Sequence, residues 1–230
     1  MKTIGLLGGM SWESTAGYYQ AINEGVKARL GGLHSAQIAM VSVDFEPIEQ
    51  LQHQGDWAAA AAILCDAAKR VEQAGADFLL ICTNTMHKLA PEIAGAVQIP
   101  LLHIADATAE ILLKQGCSKV GLLGTAFTME QDFYTGRLRE QFGLDVLVPE
   151  AQDRALVHRV IYDELCQGRI EPESKSAYLK VVAQLAEQGA EAVILGCTEI
   201  GLLIQQADTE VRLVDTTAIH SQRAVELALA

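Results

Sequence analysis

The chain has 230 residues, half of them hydrophobic and 20% charged, an ordinary globular profile with ample length for a large core. A net charge of −12 disfavours a nucleic acid or an anionic membrane as partner, since both call for a basic face. The cysteines Cys65, Cys82, Cys117, Cys166 and Cys197 are odd in number and lack metal-ligand or disulfide-scaffold spacing, so they read as reduced thiols of a cytoplasmic protein.

In chain order, short apolar runs alternate with longer amphipathic ones. Residues 3–7 read as a strand; 8–14 form a glycine turn into a helix that runs to about 30. The run 4–10 follows a single Lys and is broken by three glycines, so it is no signal peptide, and no stretch approaches a membrane span. Residues 37–43 form the next strand, followed by a short helix carrying Gln52. The Ala-rich stretch 56–73 reads as a helix leading to a strand at 78–81; its residues 58–68 could be core or a homodimer face. A helix restarts after Thr85, Pro100 interrupts it, and 101–104 is a further buried strand. The second half gives strands at 119–123, 146–148 and 192–195, with helices at 129–141, 153–167 and 174–188. Residues 213–214 and a final helix from 216 close the chain by returning to the first lobe.

Strand–helix alternation of this kind predicts an α/β fold of parallel units. The halves are also related to each other. Residues 4–8 match residues 120–124 at an offset of 116, and the stretch from Ala76 to His87 matches that from Ala190 to Glu199 without a gap at an offset of 114. Each of the latter stretches has an acidic start, four apolar residues, and then Cys, Thr, Asn or Glu at the strand's C-terminal end, where open α/β sheets bind ligands. The gapless alignment sets Cys197 against Thr83, and Cys82 against Gly196. The expected organisation is two pseudo-symmetric lobes, each a mostly parallel sheet flanked by helices: residues 1–102 plus 213–230, and residues 103–212, with the active site between them.

Cys197 stands where a helix N-terminus could favour its thiolate; the competing reading is a small buried hydrophobe. Asn84, Thr85, Thr198 and Glu199 could line a carboxylate site, cap helices, or do both. The turns holding Met10 and Ser11, and Gly124 and Thr125, lack the third glycine of a dinucleotide fingerprint and suit close backbone approach to a small ligand. The six histidines show no metal-ligand spacing. His87, a few residues past Thr83, could tune the site or simply begin a helix. Lys88 could carry pyridoxal only if a phosphate cup existed, and none is recognisable.

Taken together, Gly5 to Met10, Asn84-Thr85, Gly121 to Thr125 and Gly196-Cys197-Thr198-Glu199 resemble the cofactor-independent aspartate/glutamate racemases over essentially the whole chain. The resemblance implies an isomerase acting on a small-molecule amino acid, with no pyridoxal and no metal, between two α/β lobes. It further implies that two bases invert Cα, with Cys197 on one face, meeting the L enantiomer, and a partner on the other. It implies substrate contacts from Met10, Ser11, Gln52, Asn84, Thr85, Thr125, Thr128, Thr198 and Glu199.

One position departs from the family. The family's first motif places Cys directly before Asn-Thr, whereas here Thr83 takes that place and Cys82 precedes it. A one-residue step along a strand reverses the side chain's face, so Cys82 is expected in the core and Thr83 at the site. A Thr hydroxyl is a far weaker acid than a thiol, so proton exchange by Cys197 should outrun inversion. The segment 44–52 carries no Lys or Arg, and in the second lobe only Arg154, His158 and Arg159 offer basic contacts, so aspartate/glutamate or a broader amino-acid range are both open. The alternatives are a catalytically weak amino-acid-binding protein, or a hydantoin racemase, decarboxylase or maleate isomerase built on the same lobes.

Overall fold

The computed structural model describes residues 1–230. It divides into two compact units: Met1–Ile104 with His220–Ala230, and Ala105–Ile219.

The first unit begins with β1 (Ile4–Gly8), α1 (Trp12–Leu30), β2 (Ile38–Ser42), α2 (Phe45–Gln54), α3 (Trp57–Gln73) and β3 (Phe78–Ile81). A 3₁₀ turn (Thr85–Leu89) and α4 (Ala90–Ala96) follow. Its sheet is parallel, in the order β2-β1-β3. Helix starts are written in the sequence, because Ser11, Asp44 and Asp56 each accept a first-turn backbone N–H on a side-chain oxygen. The strands alternate between two apolar layers. Leu7, Leu79 and Ile81 face Leu64, Ala67, Ala68 and Val71 of α3, while Leu6, Phe78, Leu80 and Cys82 pack with Tyr18, Ile22 and Val26 of α1 and with Ala224 and Val225 near the C-terminus. Fully burying each large aliphatic side chain contributes ~1.5–3 kcal/mol. The buried alanines of α3 are therefore core.

The second unit carries most of α5 (Ile104–Lys114), then β4 (Lys119–Gly124), α6 (Ala126–Glu130), α7 (Asp132–Phe142), β5 (Asp145–Leu147) and α8 (Ala151–Asp163). After a 3₁₀ turn (Leu165–Gln167) come α9 (Pro172–Glu187), β6 (Ala192–Gly196), α10 (Ile200–Leu203), β7 (Leu213–Asp215) and the start of α11 (Thr216–Leu229). The sheet is again parallel, in the order β5-β4-β6-β7.

The internal repeat is visible in the pairing. Leu7 faces Ile81 in the first sheet and Leu123 faces Leu195 in the second, which are the offsets of 116 and 114 read from the sequence. The acidic residue opening each repeat has a shared task. Asp77 accepts the backbone N–H of Thr3, and Glu191 accepts those of Ser118 and Lys119, so each carboxylate satisfies the otherwise open start of the neighbouring central strand.

Three expectations are corrected. The strand expected at 101–104 is a single bridge, Leu101 to Leu79, because Pro100 has no N–H to offer and α5 already starts at Ile104. The helix expected from 129 starts at Ala126, capped by Thr125, and breaks at Gln131, whose backbone is extended. Residues 213–215 do not return to the first lobe: they pair with β6, in the place Leu101 holds beside β3, and the chain re-enters the first unit only at His220.

Candidate active site

In the first unit the nominated residues stand at or near the C-terminal ends of the strands. Beyond β1, Met10 and Ser11 are buried; the Ser11 hydroxyl caps α1 by accepting from Ser14 N at 3.3 Å, and Thr15 Oγ1 accepts Gly9 N at 2.8 Å. Gly9 has φ of 97°, and a Cβ there would run into the backbone of Val43. Only glycine makes this turn. Gln52, on α2, is buried.

Beyond β3, Cys82, Thr83, Asn84 and Thr85 follow in sequence, and their exposures separate them. Cys82 is 0% exposed within the apolar layer of Leu6 and Tyr18, and burial pushes its thiol well above the ordinary range. Thr83 is only half-buried, whereas Asn84 and Thr85 are buried. The alternation of Phe78, Leu80 and Cys82 into one layer decides this, as the one-residue step anticipates.

In the second unit, Thr125 caps α6 and its hydroxyl lies 3.2 Å from that of Thr128. Beyond β6, Cys197 is 8% exposed. Its Sγ–H donates to Glu199 Oε2 at 2.9 Å, and Thr198 Oγ1–H donates to the same oxygen at 2.8 Å. A thiol, a hydroxyl and a buried carboxylate are thus joined within three consecutive residues.

The electrostatics at Cys197 overturn one expectation. Helix α10 has only four residues, and burial, then the charge of Glu199 and the proximity of Cys166, push the Cys197 thiol well above its usual range. The resting thiol is therefore protonated, with Glu199 Oε2 as the hydrogen-bond acceptor of its proton. Sequence reasoning counted Glu199 as a substrate contact; the signal for its hydrogen bond to Cys197 was only their two-residue spacing.

The basic candidates are engaged or exposed. Arg154 Nε donates to Glu130 at 2.8 Å and its Nη1 to the Pro149 carbonyl, while Arg159 is exposed. His158 Nδ1 accepts the N–H of Ala126 at 3.1 Å, a helix-start contact that the sequence reading missed. Lys88 lies 4.1 Å over the Trp57 ring as a cation–π pair. No group of three or more His, Cys, Asp or Glu could hold a metal ion, and no helix is long and apolar enough to cross a membrane.

The family described as Asp/Glu/Hydantoin racemase matches residues 7–224. The chain belongs to that family. This racemase-family chain is 24% identical to the broad specificity amino-acid racemase RacX of Bacillus subtilis over 170 residues, covering 73% of the chain and 71% of that protein. It is 25% identical to a glutamate racemase of Shewanella loihica over 70% of the chain but 60% of the relative's length. Among solved structures, a candidate Asp/Glu racemase from Yersinia pestis is 54% identical, with a TM-score of 0.93 and full coverage of both chains. An aspartate racemase homologue from Pyrococcus horikoshii is 35% identical, with a TM-score of 0.86 and full coverage of both. The racemase family assignment thus rests on the whole chain, and the two parallel, helix-flanked sheets are its fold.

Proposed function

We propose that this racemase-family protein inverts Cα of free amino acids without pyridoxal, using Cys197 as the base that meets the L enantiomer and Thr83 as the slower acid/base for the opposite face. The observation that carries the reading is the hydrogen bond from Cys197 to the buried Glu199 carboxylate. A buried thiol with a raised pKa is a poor base alone. A carboxylate already accepting its proton supplies the missing step.

In the forward direction the Sγ–H proton passes to Glu199, which releases it to solvent, and sulfur removes the α-hydrogen as a proton. The C–H bonding pair stays with the substrate, spreading from Cα into its carboxylate. The Thr83 hydroxyl proton then forms a new C–H bond on the other face, and Thr83 regains a proton from solvent. Backbone N–H groups with Asn84, Thr85, Thr125 and Thr128 stabilise the anionic intermediate; the Thr198 hydroxyl acts one step removed, holding Glu199. Enantiomers have equal free energy, so kcat/KM is the same in both directions and only kcat and KM separately differ.

For the substrate, aspartate, glutamate or a broader amino-acid range are all compatible. With no Lys or Arg in residues 44–52 and Arg154 committed to Glu130, a dedicated side-chain carboxylate clamp has little support, which favours the broader range.

The test is an NMR screen of the common amino acids in heavy water, comparing wild type with Cys197→Ala and Thr83→Cys. Wild type should place deuterium on L substrate before much D product appears, Cys197→Ala should lose exchange while folded, and Thr83→Cys should speed inversion. Equal wash-in and inversion rates would refute Thr83 as the slow partner. Ligand-dependent thermal stabilisation with no exchange for any amino acid would identify a binding protein instead.

A further inference from the structure

Thr83 lies in a three-residue bend between β3 and the 3₁₀ turn, where the backbone has left the sheet ladder and not yet entered a helix. A proton donor there needs its main chain held by something other than regular structure. We infer that His87 is that support: it is the positioning residue of Thr83, an assignment that rests on the reading of Thr83 as an acid/base.

The His87 ring is almost wholly buried, 2% exposed. Its Nδ1 is 2.7 Å from the Thr83 carbonyl oxygen, and its Nε2 is 3.2 Å from the backbone nitrogen of Ile104, the first residue of α5. These partners leave no freedom in protonation. A backbone N–H can only donate and a carbonyl can only accept, so Nε2 is bare and Nδ1 carries the hydrogen. The ring is neutral, in one tautomer. Its own backbone N–H donates to the Asn84 carbonyl at 3.1 Å, so one residue pins two successive peptide oxygens of the bend.

Behind it stands a second imidazole layer. His103 meets the His87 ring edge-on at 4.5 Å between centroids. His220 donates from Nε2 to the Leu102 carbonyl at 2.9 Å and accepts the Tyr18 hydroxyl on Nδ1 at 2.8 Å. The segment against which His87 braces Thr83 is therefore itself held from α1 and α11. Such bracing matters more for a hydroxyl than for a thiol, because a weak acid has little driving force to spare when its distance to Cα is wrong. A misplacement of about 1 Å can cost ~10²-fold in rate.

The inference separates two conservative variants. In His87→Asn the side-chain amide N–H₂ falls near the former Nδ1 and can still donate to the Thr83 carbonyl. In His87→Gln the amide reaches the former Nε2 and restores only the contact to Ile104. Thermal melting, deuterium wash-in to L substrate and inversion to the D isomer are measured for both. Wash-in, which belongs to Cys197, should stay within about threefold of wild type in each, while inversion falls ~10- to 100-fold in His87→Gln and far less in His87→Asn. Equal loss of inversion in the two, or wash-in and inversion falling together in step with melting temperature, overturns the assignment and leaves His87 merely structural. The ¹⁵N spectrum of the wild-type ring gives a reading that needs no variant: hydrogen on Nδ1 supports it, hydrogen on Nε2 overturns it. Thr83→Val separates the two levels. If Thr83→Val inverts like wild type, the proposed function fails; if it loses inversion while His87→Gln keeps it, only the role of His87 fails.

Discussion

At Cys197 the neighbouring carboxylate acts on the thiol in two opposite ways. After burial, it is the charge of Glu199 that raises the thiol's pKa and disfavours the thiolate, yet the same carboxylate accepts the thiol's hydrogen bond. Glu199→Gln removes both effects. The plateau rate of α-proton exchange should drop by ~10²- to 10⁴-fold, the usual range for loss of a general acid/base. The alkaline limb of its pH profile should move to lower pH, because the charge that raised the thiol is gone. An unchanged plateau in wash-in kinetics would show that solvent, not Glu199, takes the proton.

At the level of elements, the proposed function hangs on the connections that follow the strands. The β1–α1 turn depends on Gly9, where any side chain meets the Val43 backbone and an unfavourable φ. Gly9→Ala should destabilise by more than ~1 kcal/mol in urea unfolding and depress exchange by displacing Met10 and Ser11. The β3 connection gives the contrasting case. Cys82→Ala empties a core position, so it should cost about 1 kcal/mol while leaving both wash-in and inversion near wild type. A large loss of inversion in a stably folded Cys82→Ala would transfer the role assigned to Thr83 to its neighbour.

For the molecule as a whole, the C-terminal return of the chain carries a pH liability. His220 is fully buried between Tyr18 and the Leu102 carbonyl, and burial pushes its pKa down from 6.5 to about 3. The unfolded chain therefore binds a proton that the folded one refuses. As pH falls from 6.5 toward about 3 the unfolded state gains that proton and stability drops; each unit is worth ~1.4 kcal/mol. His220→Gln should be less stable at neutral pH through loss of the Tyr18 contact, but its stability should fall less steeply on acidification. Denaturant titrations at a series of pH values check this, and parallel slopes for the two proteins would contradict it.

Much of this was legible in the residues. Period, composition and the two offsets fixed the parallel α/β character, the duplicated halves and the correspondence of Thr83 with Cys197 within the repeat, because strand register and side-chain alternation are local and nearly rigid. What the chain could not reveal by itself were the contacts made across long sequence separations or by choice of rotamer. The burial that keeps the Cys197 thiol protonated, the turn of Arg154 toward Glu130, the assignment of 213–215 to the second sheet, and the grip of His87 on Thr83 and Ile104 all depend on which surfaces the fold brings together. Burial and partner geometry set proton affinity and hydrogen bonding, and both are properties of packing rather than of sequence order.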